Sequence, residues 1–242
     1  MGKEYEVKIL DIQYNEMRSK IKNLGGKLVH EKKKYVRSVF DLCNTNKKGY
    51  ARVRDEAGNV TITVKIYNNP DYPDEYEIET KNDFETAKNL LIAMNLQLKA
   101  FQESYREKWS IPIDGVHEVT FDTLPGLPTY MEIDCTSEEV LEKMIKLLGA
   151  DKSKMRKGAF DRTYEEYYGI ERDVINKSTP SITFKNSINE LNVSKNKDLL
   201  IKIHSEQNKD FLIKTHSEQD KGGYKYKYLK YKQKYQKLKR HT

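Results

Sequence analysis

The chain has 242 residues, 37% of them hydrophobic and 33% charged, which gives room for one large domain or two small ones but is too polar for a chain that folds throughout. Its formal net charge of +7 belongs to one end: residues 1–170 carry 27 Lys+Arg against 29 Asp+Glu, and residues 171–242 carry 17 against 8, so basicity describes a tail and not the folded part. Two cysteines, Cys43 and Cys135, exclude a disulfide framework, the start has no apolar signal region, and no apolar run approaches the roughly 20 residues that cross a bilayer; the expectation is a cytoplasmic protein of a reducing compartment.

Residues 3–10 alternate charged and apolar, the spacing of a strand. Residues 12–24 read as a helix with Ile12, Met17, Ile21 and Leu24 on one face, Asp11 placed to cap it and Gly25-Gly26 to stop it. An extended stretch over 28–42 leads to a turn at Asn44–Asn46, then a hairpin of 50–56 and 60–67 around Ala57-Gly58-Asn59. A loop over 68–74 precedes a strand at 75–81, and Asp83 caps a helix that reaches Met94. Strands over 98–110 and 116–123 join at Asp114-Gly115, Pro125–Pro128 turns into a strand over 129–135, and an amphipathic helix over 137–148 ends at Gly149. The aromatic segment Tyr164–Tyr168 closes the compact region. Many antiparallel strands with three interspersed helices predict an α+β domain over residues 1–170. Residues 171–242 read as a low-complexity Lys/Tyr/Asn-rich tail, disordered or partly helical. In it Leu200–Gln207 recurs as Leu212–Gln219, and Gly222–Thr242 holds eight basic residues, five tyrosines and no acid.

In a strand, residues two apart share a face, and here that face is charged strand after strand. Glu4, Glu6 and Lys8 oppose Tyr5, Val7 and Ile9. Arg52 and Arg54 oppose Val53, and Lys65 opposes Val64 and Ile66. Glu75, Glu77 and Glu79 oppose Tyr76 and Ile78. Arg106 and Lys108 oppose Tyr105 and Trp109, Glu118 and Asp122 oppose Val119 and Phe121, and Glu132 and Asp134 oppose Met131 and Ile133. A sheet with one face in water produces the same alternation. Stacked carboxylates on some strands and Arg pairs on others, over seven strands, point instead to a sheet closed with its charges inward and its helices outside. Carboxylate clusters take hard divalent cations and Arg/Lys clusters take phosphate oxygens, so together they suit a polyanion held between a metal and a basic wall.

These blocks resemble the CYTH superfamily, the triphosphate tunnel metalloenzymes, which includes class IV adenylyl cyclases and thiamine triphosphatases. Glu4-Tyr5-Glu6-Val7-Lys8 resembles its E-x-E-x-K signature, and the basic and acidic strands follow in the family's order through Tyr164–Gly169. The resemblance implies an eight-stranded antiparallel β-barrel with helices packed outside and Mg²⁺ or Mn²⁺ as cofactor. It implies Glu4, Glu6 and Glu132 as metal ligands with Asp122 and Asp134 in support, and Lys8, Arg37, Arg52, Arg54, Lys65 and Arg106 as triphosphate contacts. Lys8, Glu4 and Glu6 become the catalytic set, and Glu77 and Glu79 hold a second metal or orient the basic wall. Two positions depart from the pattern: Ser104 stands where the family often has Lys, and Asp134 where it often has Glu.

The site so implied supports a triphosphate phosphohydrolase acting on a nucleotide, thiamine triphosphate or inorganic triphosphate. The same site supports a class IV cyclase that makes cyclic AMP and pyrophosphate from ATP. A non-catalytic polyphosphate or nucleic-acid binding module is the third reading. The basic, Tyr-rich tail is suited to weak contact with nucleic acid or an anionic surface. The histidines lack zinc spacing, and Trp109 is expected to pack in a core.

Overall fold

The computed structural model describes residues 2–3, 5–42, 46–68, 73–158, 160–175 and 179–219, with side chains from Tyr5 to Asn208 within those ranges. It separates into two compact units, Met1–His204 and Ser205–Thr242. In chain order the elements are β1 Gly2–Lys3, β2 Tyr5–Ile9, α1 Tyr14–Asn23, β3 Lys27–Asp41, β4 Gly49–Asp55, β5 Val60–Ile66, β6 Asp74–Thr80 and α2 Phe84–Ala93. There follow β7 Gln97–Ser110, β8 Val116–Thr123, β9 Tyr130–Cys135, α3 Glu138–Leu148, β10 Met155–Arg156, α4 Asp161–Tyr168, β11 Ser181–Ile182, α5 Ser187–Glu190 and α6 Lys197–Gln219. No helix of the described residues is long and apolar enough to cross a membrane.

The strands form one sheet in the order β1-β6-β5-β4-β3-β7-β8-β9-β2-β10, with β11 parallel alongside β7. The ten-strand path is antiparallel throughout, so the α+β expectation holds, but the sheet is not the closed eight-stranded barrel that was expected. The reason lies at both ends. β1 and β2 pair with different strands: Gly2 and Lys3 with Glu75 and Asp74, and Tyr5–Ile9 with Cys135–Met131. β10 then adds an outer strand to β2.

Period-two alternation decides which face of this sheet is dry. Val7, Ile9, Trp109, Val119, Phe121, Met131 and Ile133 leave the outer face and meet Met17 and Ile21 of α1 and Leu141, Met144, Ile145 and Leu148 of α3. Phe40, Ala51, Val53 and Val60 meet Ala87 and Leu91 of α2. The helices thus cover the outside and leave the charged face turned inward. Trp109 is 1% exposed and donates its indole N–H to Glu107. Asp83 caps α2 by accepting from Thr86 N–H at 2.9 Å, and Gly149 ends α3 in the left-handed region. Asp11 does not cap α1: its φ is +50°, Gln13 occupies the cap position without a side-chain bond, and the Asp11 carboxylate takes the Tyr167 hydroxyl instead.

The first compact unit runs to His204, so the boundary expected at residue 170 falls inside it. Ile170, Ile175, Ile182, Leu191 and Leu200 pack with Leu10, Leu124, Leu127, Tyr164 and Tyr168 in a third core cluster. Gly126 makes room for this layer: its φ is +76°, and a Cβ there would stand 2.6 Å from Leu200 Cδ1. The repeated segments over 200–219 lie within α6. The Lys/Tyr-rich run from Gly222, together with Cys43 and the Asn44-Thr45 part of the expected turn, lies outside the described residues.

Candidate functional site

The inward faces of β2–β9 enclose a cavity of about 860 Å³. Each strand supplies it with residues two or four apart: Glu6 and Lys8 from β2, Tyr35 and Arg37 from β3, Arg52 and Arg54 from β4, Thr61 and Lys65 from β5, and Glu75, Glu77 and Glu79 from β6. Gln102, Ser104, Arg106 and Lys108 come from β7, Glu118 and Asp122 from β8, and Tyr130, Glu132 and Asp134 from β9. Register carries the charges together across strands. Lys8 faces Glu132 and Glu6 faces Asp134, Arg37 lies beside Arg54, Thr63 beside Glu77, and Arg106 beside Asp122.

On one side the acidic strands are threaded by two cations. Lys8 Nζ lies 2.7 Å from Glu6 Oε1 and 3.1 Å from Glu132 Oε2. Arg106 bonds Asp122 through two nitrogens at 2.7 and 2.6 Å, Glu132 at 2.9 Å and Glu118 at 3.2 Å. Burial opposes the charge of both cations, and the surrounding carboxylates outweigh it, so both are held firmly protonated. Burial likewise opposes ionisation of Glu132 and Glu118, but Lys8 and Arg106 hold the first, and Arg106 and Lys108 the second, below the usual carboxylate range. Asp134 Oδ2 lies 3.3 Å from His117 Nδ1.

The other side is the basic wall. Arg52 reaches Glu75 at 3.2 Å and Glu77 at 3.4 Å, and Lys65 reaches Glu75 at 3.3 Å. Arg54 touches Glu56 and lies 3.9 Å from Glu77. Thr63 donates to Glu77 at 2.6 Å, and Glu79 accepts from Asn59 at 2.9 Å. Arg37 is different: its Nε donates to Gln102 at 2.7 Å and its guanidinium lies 4.7 Å over the Phe160 ring. Burial, and then the neighbouring guanidiniums, lower the affinity of Arg37 and Arg54 for their protons. Arg54 Nε and Thr61 Oγ1 are buried and have no hydrogen-bond partner among the described residues. Crowded cations and idle donors at the wall of a cavity are what an incoming anion would satisfy.

Of the residues expected at the site, Glu6, Lys8, Arg37, Arg52, Arg54, Lys65, Glu77, Glu79, Arg106, Asp122, Glu132 and Asp134 all line this cavity. Glu4 lies outside the described residues. Among the described residues no group of three or more His, Cys, Asp or Glu side chains is gathered as a metal centre, because Lys8 and Arg106 stand between the carboxylates. The donor chemistry nonetheless suits a hard divalent cation: Glu6, Asp122, Glu132 and Asp134 offer only oxygen. Two kinds of residue escaped the sequence reading. Tyr35, Thr61, Gln102 and Tyr130 share a strand face with the charges and were readable by the same period. Phe160, Asp161, Arg162 and Arg172 also line the cavity, but they come from turns and a helix end, where no period marks them.

No protein-family profile and no curated protein sequence matches this chain. Solved structures do. A candidate adenylate cyclase from Vibrio parahaemolyticus superposes with a TM-score of 0.55 at 14% identity, over 66% of this chain and 97% of that one. The PH1012 protein of Pyrococcus horikoshii superposes with a TM-score of 0.54 at 18% identity, over 65% and 96%. The PH1819 protein of the same organism gives 0.50 at 21% identity, over 67% and 98%. Coverage of almost the whole of each neighbour shows that this chain shares their fold.

Proposed function

We propose that the chain is a divalent-metal-dependent enzyme acting on a triphosphate-bearing substrate, and that it hydrolyses the triphosphate. The observation that carries this is the cavity itself, in which buried guanidiniums with idle donors face a carboxylate set of pure oxygen. β1 and β2 pair with β6 and β9 at the two ends of the path that carries both charged walls.

Glu6, Glu132 and Asp134, with Asp122 in support, are the residues that would hold Mg²⁺ or Mn²⁺; Glu4 belongs to the set by its motif. Such an ion supplies charge neutralisation on phosphoryl oxygens. The chain does the rest. Arg37, Arg52, Arg54, Lys65 and Arg106 hold the phosphate chain along the basic wall, which fixes the phosphorus against its nucleophile. Lys8, protonated between Glu6 and Glu132, cannot serve as a base; it positions both carboxylates and stabilises charge developing on the leaving oxygen. Glu75 and Glu77 orient the Arg52 and Lys65 side chains.

The test is to incubate the protein with Mg²⁺ or Mn²⁺ and inorganic triphosphate, ATP or thiamine triphosphate, and to resolve phosphate, pyrophosphate and cyclic nucleotide. Phosphate release that stops on chelation is the expected result. Cyclic AMP with pyrophosphate would move the assignment to the cyclase reading, which the likeness to a candidate adenylate cyclase favours. Binding without product in every case would leave a binding module and overturn the enzyme.

The basic wall gives a smaller prediction. Arg54→Ala should weaken triphosphate binding by about 10- to 100-fold, the value of one charge-assisted hydrogen-bonding group. Lys152→Ala, on a side chain 67% exposed and outside the cavity, should leave it unchanged. Equal affinities for the two variants in a titration would remove Arg54 from the site.

A further inference from the structure

Arg172 lies just beyond the region that carries the motif resemblance, yet it lines the cavity beside Phe160, Asp161 and Arg162. It is held on both sides. Gly169 turns the chain at φ +65°, and Ile175, three residues further, is fully buried. Its partner is Asp161, 1% exposed at the start of α4. Asp161 Oδ1 accepts from the Arg162 N–H at 2.9 Å, and Oδ2 accepts from Arg172 Nε at 3.0 Å.

The choice of nitrogen matters. Nε is the inner corner of the guanidinium, so a bond there sets the plane of the fork without using its outer edge. Nη1 and Nη2 of Arg172 have no hydrogen-bond or ion-pair partner among the described residues. Arg37 stands over Phe160 at this same end of the cavity, with only the neutral Gln102 bonded to its Nε. Arg162 spends Nη1 on the Lys157 carbonyl, at 3.4 Å. Three guanidiniums therefore line this end of the cavity, and Asp161 accepts from one of them, Arg172, and from a backbone N–H. A planar fork with a free outer edge, fixed by a buried carboxylate, is a pre-organised receptor for a phosphate oxygen pair.

We propose that Arg172 binds a phosphoryl group of the substrate at the Phe160 end of the cavity, and that Asp161 is its positioning residue. The proposal rests on the triphosphate reading of the same cavity and extends the substrate path to a residue outside the charged strands. Arg172 takes no part in bond breaking: it holds substrate, so it acts on KM and not on kcat.

The experiment uses the full chain with inorganic tripolyphosphate as probe, with binding measured by calorimetry and turnover in the presence of Mg²⁺. Arg172→Gln keeps a donor for Asp161 and removes the charged fork. It is expected to raise Kd and KM roughly 10-fold while kcat stays within about 2-fold, the scale of one lost charge-assisted contact. Asp161→Asn, which keeps the shape and loses the charge that aligns Nε, is expected to raise KM by about 3-fold in the same pattern. Arg172→Lys, which keeps the charge and loses the fork, should fall between wild type and Arg172→Gln, and it carries the test if Arg172→Gln does not fold. A wild-type chain that neither binds nor cleaves tripolyphosphate overturns the triphosphate reading itself. Wild-type binding that Arg172→Gln and Arg172→Lys leave unchanged overturns the Arg172 proposal alone, and so does a fall in kcat at constant KM.

Discussion

Arg106→Ala is expected to cost about 3–5 kcal/mol of stability and to lower the melting temperature by roughly 10 °C. The reason is the company Arg106 keeps. Its side chain is 15% exposed and joins Asp122, Glu132 and Glu118, of which Asp122 is 4% exposed. Without the guanidinium, Asp122 retains the Thr120 hydroxyl at 3.2 Å and Glu132 retains Lys8, while two other carboxylates stand close by. Buried charge without a partner is among the few single-residue effects of that size. The pH dependence has a definite sign. Burial already holds the Asp122 carboxyl above the usual carboxylate range, and loss of the arginine raises it further and lifts Glu132 from its lowered value. The penalty is then full at pH 7 and shrinks as pH falls through the raised values. The gap between wild type and variant, measured by urea unfolding, should therefore narrow from pH 7 toward pH 5. Arg106→Lys should recover part of the loss, and Asp122→Asn in the Arg106→Ala background should recover another part. A variant within about 1 kcal/mol of wild type at pH 7 would mean that this face is solvated, and the cavity would lose its standing as a built site.

The same network shows why so much of the site could be read from the sequence. A strand has no choice about which residues share a face. Once Arg52 and Arg54 lie opposite Val53, and Glu132 and Asp134 opposite Ile133, the inward set follows from where the apolar set finds helices to meet. α1, α2 and α3 announce themselves by a 3.6-residue period, and they cover the outer face as expected. The ends of the sheet are less legible, because β1 and β10 are two-residue strands that no periodicity can mark. Asp11 illustrates a different limit. Its type and place suit a helix cap, but a positive φ and the Tyr167 hydroxyl draw its carboxylate elsewhere. The Phe160–Arg172 end of the cavity is assembled from turns, so chemistry there can be recognised only once the fold has brought the residues together.

The segment after residue 170 was the least legible. Its buried positions, Ile175, Ile182, Leu191 and Leu200, are separated by seven, nine and nine residues among Asn, Lys and Ser, a series that keeps neither a helical nor a strand period throughout. Each apolar residue is instead a separate anchor, joined by turns that satisfy their own backbone: Asn186 Oδ1 accepts from the Thr183 N–H at 2.7 Å, and the Tyr168 carbonyl accepts from Ser194 at 3.0 Å.

That arrangement makes the largest structural prediction a truncation. A chain ending at Ile170 loses those four anchors and Phe184, 4% exposed. It also uncovers Tyr164 and Tyr168, whose hydroxyls bond the Pro125 and Gly126 carbonyls beneath the layer, and it removes Arg172. Large apolar side chains contribute about 1.5–3 kcal/mol each when fully buried. Even after the entropy of ordering the segment is offset, uncovering both sides of this cluster should lower the melting temperature by 10 °C or more, or leave a chain that binds hydrophobic dyes. A chain ending at Asn208, which keeps every anchor and drops the Lys/Tyr-rich run, should melt within about 3 °C of the full chain. Gly126→Ala gives the same cluster a single-site test, because its Cβ would meet Leu200 in a backbone conformation that already disfavours a side chain. It should destabilise the chain ending at Asn208 more than the chain ending at Ile170, where Leu200 is gone. If the chain ending at Ile170 melts with the full protein and Gly126→Ala costs both chains equally, residues 171–204 are a passive appendage, and the stable fold ends with α4.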